Sequence, residues 1–155
     1  MARVEGPGGR RGALFVEAKG HRRELTGRGT RATAASRTAI TSALHDVQNR
    51  LDVPPGTEWL GPVYQPANRL AWIWYAREHP AHAAQPVDAW LVSVYFLGGV
   101  YPWGVASVDG PADEQAWRPF IDGLHQDMGL PSPAHALSDR VVELFLAVAT
   151  ARSDR

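Results

Sequence analysis

The sequence has no cysteine among its 155 residues. That excludes a disulfide framework, cysteine-ligated zinc and a cysteine nucleophile. It has almost no lysine: of the sixteen basic residues, only Lys19 is not arginine. It has no apolar run near the roughly 18 residues needed to span a bilayer. Its opening MARVEGPGGRRG lacks the apolar centre of a secretory leader, and no G-x-S-x-G provides a hydrolase nucleophile elbow. These absences predict a cytoplasmic protein with no membrane association. What is present is an ordinary globular composition, 45% hydrophobic, in a length that suits a single domain over residues 1–155.

Charge is balanced in total, with 16 basic and 16 acidic residues, but not along the chain. Residues 1–37 carry nine arginines or lysines against three acids, a local charge of +6, and the remaining residues carry −6. A basic end on a neutral chain points to a polyanionic partner, the alternative being a solvated arginine-rich loop.

Hydrophobic periodicity predicts the order β-β-α-α-β-α followed by a strand-like terminal segment. Arg3–Glu5 and Ala13–Lys19 read as a hairpin around the Gly6-Pro7-Gly8-Gly9 turn. Ile40, Leu44, Val47 and Leu51 recur at helical spacing behind Thr33 or Ser36 as N-cap. Two further helices are predicted from Pro66 to Glu78 and from Asp113 to Met128, the last with Gly129 as its C-cap. Asp88–Leu97 is apolar at both parities, as expected of a strand central in a sheet. Gly98-Gly99 and Pro102-Trp103-Gly104 read as turns, and Val141–Val148 is apolar enough for a strand although Ser138-Asp139 could cap a helix. The pattern is a mixed α/β domain with helices covering a sheet.

The second strand carries the first site candidates. Side chains alternate across a strand, so Phe15, Glu17, Lys19 and His21 share one face and Leu14, Val16 and Ala18 the other. An acid, the single lysine and a histidine thus meet at the end of an apolar run, where charge is costly unless paired, solvated or engaged with a ligand. In the predicted helix that follows, Gln65, Arg69 and Trp72 fall on one side, a combination able to meet a phosphate and a base. Trp72 as plain core and Arg69 as a structural pairing residue is the alternative. His79 and His82 have a metal-like spacing but fall in a Pro/Ala-rich loop, so a surface loop is expected there.

The ordered set of Ala13–Lys19 (ALFVEAK), Tyr64–Ala71 (YQPANRLA) and Asp88–Leu97 (DAWLVSVYFL) resembles the PD-(D/E)XK nuclease superfamily, most closely its uncharacterised bacterial members. The resemblance covers most of the chain from residue 13 onward. It implies a restriction-endonuclease-like core, a central mixed sheet flanked by helices. It also implies metal-dependent phosphodiester hydrolysis of nucleic acid, DNA rather than RNA, with two copies able to pair as a homodimer. Glu17 and the Ala18 carbonyl would hold Mg²⁺ or Mn²⁺, Lys19 would be the catalytic lysine, and Gln65 would stand near the site. A hard cation of this kind takes oxygen ligands and polarises a phosphoryl group, while a lysine beside it stabilises developing negative charge. His21, Arg22, Arg23, Arg28, Arg69 and Trp72 would contact the nucleic acid. The superfamily pattern also has an acid, usually Asp, on the strand before E-x-K. No Asp precedes Asp46 here, which leaves Glu5, or Glu24 beyond the strand, as the candidate second acid and predicts an N-terminally incomplete domain. A non-catalytic member of the fold, kept as a nucleic-acid-binding or protein-interaction module, is the alternative reading.

Overall fold

The computed structural model describes residues 2–5, 9, 11–78, 87–103, 106–130 and 135–148. In chain order the elements are β1 (Ala2–Glu5), β2 (Arg11–Lys19), α1 (Ala34–Arg50), α2 (Tyr64–Arg77), β3 (Asp88–Leu97), β4 (Val100–Trp103), β5 (Ala106–Asp109), α3 (Glu114–Asp127) and β6 (Val141–Ala147). The terminal segment is therefore a strand. Residues 6–8 of the predicted turn and the His79/His82 segment lie outside the described residues.

Four strands form a central mixed sheet in the order β1-β2-β3-β6. β1 runs antiparallel to β2, as the hairpin reading required, while β2, β3 and β6 are mutually parallel. The parallel pairs follow from the helical connections, since a parallel partner needs a long crossover. β3 is central, as its two-sided apolarity indicated. Pro102 and Trp103, expected as turn material, instead belong to β4, which pairs antiparallel with β5 in a second small sheet. Gly98 and Gly99 (φ +70° and +87°) make the sharp exit from β3 into it, a conformation that side chains disfavour.

α1 begins where Thr33 caps it, the Thr33 hydroxyl oxygen accepting from the Ser36 amide at 3.4 Å. Leu44, Val47 and Leu51 are buried in the core and Ile40 packs partly against it. α3 is capped by Asp113 and closed by Gly129 at φ +66°. Trp117 anchors α3 to the sheet. It is fully buried, its indole lies 5.0 Å from the Tyr95 ring, and its Nε1–H donates to the Phe96 carbonyl at 3.0 Å. Across the core, the Trp59 indole donates to the Met128 carbonyl at 2.9 Å.

Among the described residues, helices cover the sheet on one side only, which the sequence did not suggest. The sheet residues that pack in the core, Ala13, Phe15, Ala89, Leu91, Tyr95, Leu97, Val141 and Phe145, all have odd numbers. The even-numbered residues face away from α2 and α3; Val16 among them is 55% exposed, whereas Val94 in the central strand is only 8% exposed. No helix of the described residues is long and apolar enough to cross a membrane.

Trp117→Ala removes the anchor of α3 and leaves a cavity, so it should lower the unfolding free energy by about 3–5 kcal/mol. Trp72→Ala, at a residue 53% exposed, should cost less than about 1 kcal/mol. Urea denaturation of the two variants checks this, and equal losses would contradict the assignment of core and surface.

Candidate nucleic-acid interface

The register of the parallel strands sets the site. Glu17 of β2 pairs with Ser93 of β3, and Ser93 pairs with Glu143 of β6. One row across the covered face therefore reads Glu17, Ser93, Glu143. The next row reads Lys19, Tyr95, Phe145. Two acids thus sit two strands apart, about 10 Å at the usual strand spacing, beneath α2 and α3. β1 begins at Ala2, opposite Leu14, and leaves the flank of Glu17 without a partner strand among the described residues.

Both acids are neutralised locally. Glu17 Oε1 lies 2.7 Å from Lys19 Nζ, and Glu17 Oε2 accepts from Arg69 Nε of α2 at 3.0 Å. Glu17 is 17% exposed and Lys19 12% exposed, so the pair lies in a setting where an unmatched charge would be expensive. Lys19 also donates to the Glu24 carbonyl at 2.6 Å. Glu143 is paired with Arg118 of α3, whose guanidinium carbon stands 4.8 Å from the centre of the Phe145 ring. Glu17, Lys19, Arg69 and Glu143 line a cavity of about 60 Å³ together with Leu70, Leu124 and His135. That is far below the several hundred Å³ of ordinary small-molecule pockets.

Two neighbouring groups are tuned by burial. Burial holds the Tyr95 phenol well above its ordinary range, and Glu143 and Glu17 push it further the same way, so it stays protonated. Burial depresses the His135 imidazole, and the nearby His125 adds to this. A neutral ring also suits its local bond, the Leu137 amide donating to His135 Nδ1 at 3.2 Å.

The structure brings together only some of the residues singled out from sequence. Glu17, Lys19 and Arg69 form one cluster. Glu24 is close by, but its carboxylate accepts from the Gly20 amide at 2.8 Å and stands 3.4 Å from His21 Nε2, so it closes the loop after β2 instead of joining Glu17. Glu5 is opposite Arg11, six residues along β2 from Glu17. At about 3.3 Å per residue that is some 20 Å away, so Glu5 is not brought to Glu17 as a second acid. The unanticipated acid in Glu17's row is Glu143. Ala18 lies in paired backbone opposite Val94, with its side chain on the uncovered face. Gln65 is exposed and does not line the cavity.

His21 is 1% exposed, with its ring against Tyr101 at 5.9 Å. Such a side chain cannot meet a nucleic acid directly, so its expected contact role is withdrawn. Trp72 is not core. It stands half-exposed in an open groove between α2 and the β1–β2 hairpin, with Phe15, Tyr75 and Arg3.

Arginines divide by position. Every described arginine side chain after residue 37 is ion-paired: Arg50 with Glu78, Arg69 with Glu17, Arg77 with Asp88, Arg118 with Glu114 and Glu143, and Arg140 with Asp88 and Asp139. Arg22, Arg23, Arg28, Arg31 and Arg37 are all exposed. Among the described residues, no carboxylate lies within ion-pairing distance of any of these five. Arg22 lies on the Phe120 ring of α3, 5.4 Å from its centre. A band of uncompensated arginines therefore starts three residues beyond Lys19 and runs to the first turn of α1.

A divalent ion does not fit the donors present. Both oxygens of Glu17 are engaged by cations, and among the described residues no three His, Asp or Glu side chains gather closely enough to hold a metal. No protein-family model, no curated protein and no solved structure matches the chain.

Glu17→Gln leaves Lys19 and Arg69 without their counter-charge and should destabilise the fold by about 1–3 kcal/mol in urea titration. An unchanged midpoint would show that the cluster carries no such coupling. His135 gives a pH signature. Its folded pKa is depressed, so between that value and the ordinary value of about 6.5 the unfolded chain binds more protons. Its contribution is complete above about pH 6.5 and is lost as the pH falls below it. The stability of His135→Gln should accordingly depend less steeply on pH below 6.5 than that of the unmodified protein, read as unfolding midpoints over a pH series.

Proposed function

We propose that the domain binds nucleic acid through its arginine band, with the Glu17–Lys19–Arg69 cluster at one end of that contact. The observation that carries this reading is the division of the arginines. Those after residue 37 are ion-paired, whereas Arg22, Arg23, Arg28, Arg31 and Arg37 are exposed without carboxylate partners among the described residues. Solvated side chains of one sign along a short segment match the regular charge of a phosphate backbone. Arginine also suits the partner, because its planar fork pairs bidentately with phosphate oxygens. Lys19 and Arg69 add positive charge at the cavity mouth, partly offset by Glu17. Trp72, half-exposed one helical turn beyond Arg69, offers a ring on which a base can stack. DNA is the preferred nucleic acid in this proposal.

A second reading is phosphodiester hydrolysis of the PD-(D/E)XK kind. The observation favouring it is the placement of Glu17 and Lys19 together near the carboxyl end of β2, within a parallel set of strands. Open α/β sheets place their sites at that end. Against it stands the donor set, whose two acids are already held, Glu17 by Lys19 and Arg69 and Glu143 by Arg118. Incubating plasmid and single-stranded DNA with Mg²⁺ or Mn²⁺ and with EDTA separates the two readings. The binding account expects no cleavage in either condition, and metal-dependent cleavage lost in Lys19→Ala would establish the hydrolytic one.

Binding itself is read by fluorescence anisotropy of a labelled oligonucleotide across a salt series. Affinity should fall linearly on logarithmic axes as salt rises. Each arginine of the band changed to alanine should reduce the slope by about 0.7–0.9. Arg118→Ala serves as the comparison and should leave the slope unchanged. Salt-independent binding, or equal effects from Arg118 and Arg23, would contradict the proposal.

A further inference from the structure

Six of the eight exposed large apolar side chains among the described residues lie on one surface. Val4, Val16, Val142, Leu144, Leu146 and Val148 all project from the sheet face opposite α2 and α3, and Leu144 and Leu146 are 41% and 47% exposed. The strand register arranges them in rows. Val16, Val92 and Val142 form one row, and Ala18, Val94 and Leu144 the next. Leu14 and Trp90 flank these on one side, and Phe96 and Leu146 on the other. None of these positions carries a charge. The nearest charged groups are at one end, where Arg140 lies over the Trp90 ring at 4.5 Å and pairs with Asp88.

We propose that this face is a self-association surface, covered by the same face of a second copy of the chain. The size of the face supports this. Four strands at about 4.8 Å and seven residues at about 3.3 Å span roughly 440 Å² per copy. A pair would bury about 900 Å² before side-chain relief is added, close to the roughly 1,000 Å² at which specific interfaces begin. The absence of charge argues against a partner recognised through ion pairs and leaves shape as the criterion. Two sheets pack face to face when their twists match, and an identical face supplies the matching twist. A twofold pairing also places each patch against itself, so a uniformly apolar patch is self-complementary. An interface of this size is weak and transient, in exchange with monomer. The surface is separate from the arginine band, so the proposal stands or falls independently of nucleic-acid binding.

Sedimentation velocity over a concentration series tests it. The mass should rise from the monomer's 16.9 kDa toward twice that value. Val16→Lys should remain monomeric throughout while keeping the unmodified circular dichroism spectrum. The cysteine-free background permits a second readout that does not depend on that variant folding. A single thiol from Leu144→Cys should react with iodoacetamide several-fold more slowly at high than at low protein concentration. A thiol from Ser42→Cys, on the exposed side of α1, should react at one rate throughout. A monomer at every concentration up to the order of 100 µM would overturn the proposal. So would a dimer that forms without slowing the thiol at 144.

Discussion

A carboxylate on the covered face of a sheet must be neutralised, because the helices above it exclude most of the water that would solvate it. This constraint organises the domain. Parallel pairing of β2, β3 and β6 places Glu17 and Glu143 in one row beneath α2 and α3. Each is met by an arginine from the helix above it, Arg69 of α2 for Glu17 and Arg118 of α3 for Glu143. The ion pairs therefore join each helix to the strand beneath it as well as balancing charge. Lys19 completes the set from the same strand as Glu17, and its bond to the Glu24 carbonyl ties down the loop that leads to the arginine band.

The same neutralisation explains why the chain separates its cations into two groups. Arginines in the acidic part are held by acids within the fold, and pairing leaves them little charge to offer a partner. The basic segment begins in the loop after β2 and continues into α1, where no acid lies within ion-pairing distance of its arginines among the described residues. Folding does not need that charge; a polyanion does. The two properties of the chain, overall neutrality and local excess, thus have separate structural roles.

Much of the fold was legible from period alone. β3 could be placed end to end because the run Ala89–Leu97, apolar except for Ser93, is bounded by Asp88 and Gly98. The three helices were readable from their apolar stripes, with Thr33 and Gly129 acting as the sequence indicated; Asp113, read as the first helical residue, is instead the N-cap of α3. The β4–β5 hairpin was hidden because proline, glycine and two short strands read locally as turn. One-sided coverage was hidden for a different reason: Val92 and Phe96 are as apolar as Leu91 and Tyr95, and composition does not say which face a helix will take. Within the site, strand alternation put Glu17 and Lys19 on one face, where the structure pairs them, and Arg69, singled out by helical spacing, pairs with Glu17. Glu143 was missed although it is the one acid inside the apolar run VVELFLA; only the register with β3 aligns it with Glu17. His21 shares the parity of Lys19, but it lies beyond the strand, where the chain turns into the core and parity no longer predicts direction.

The most direct measurement is nitrogen–proton NMR of the arginine Nε–H groups during titration with a short oligonucleotide in EDTA. The account predicts that signals from Arg22, Arg23, Arg28, Arg31 and Arg37 shift together and saturably, while those of Arg118 and Arg140 stay fixed in their ion pairs. Shifts spread evenly over all the arginines, or none at oligonucleotide concentrations well above that of the protein, would contradict it.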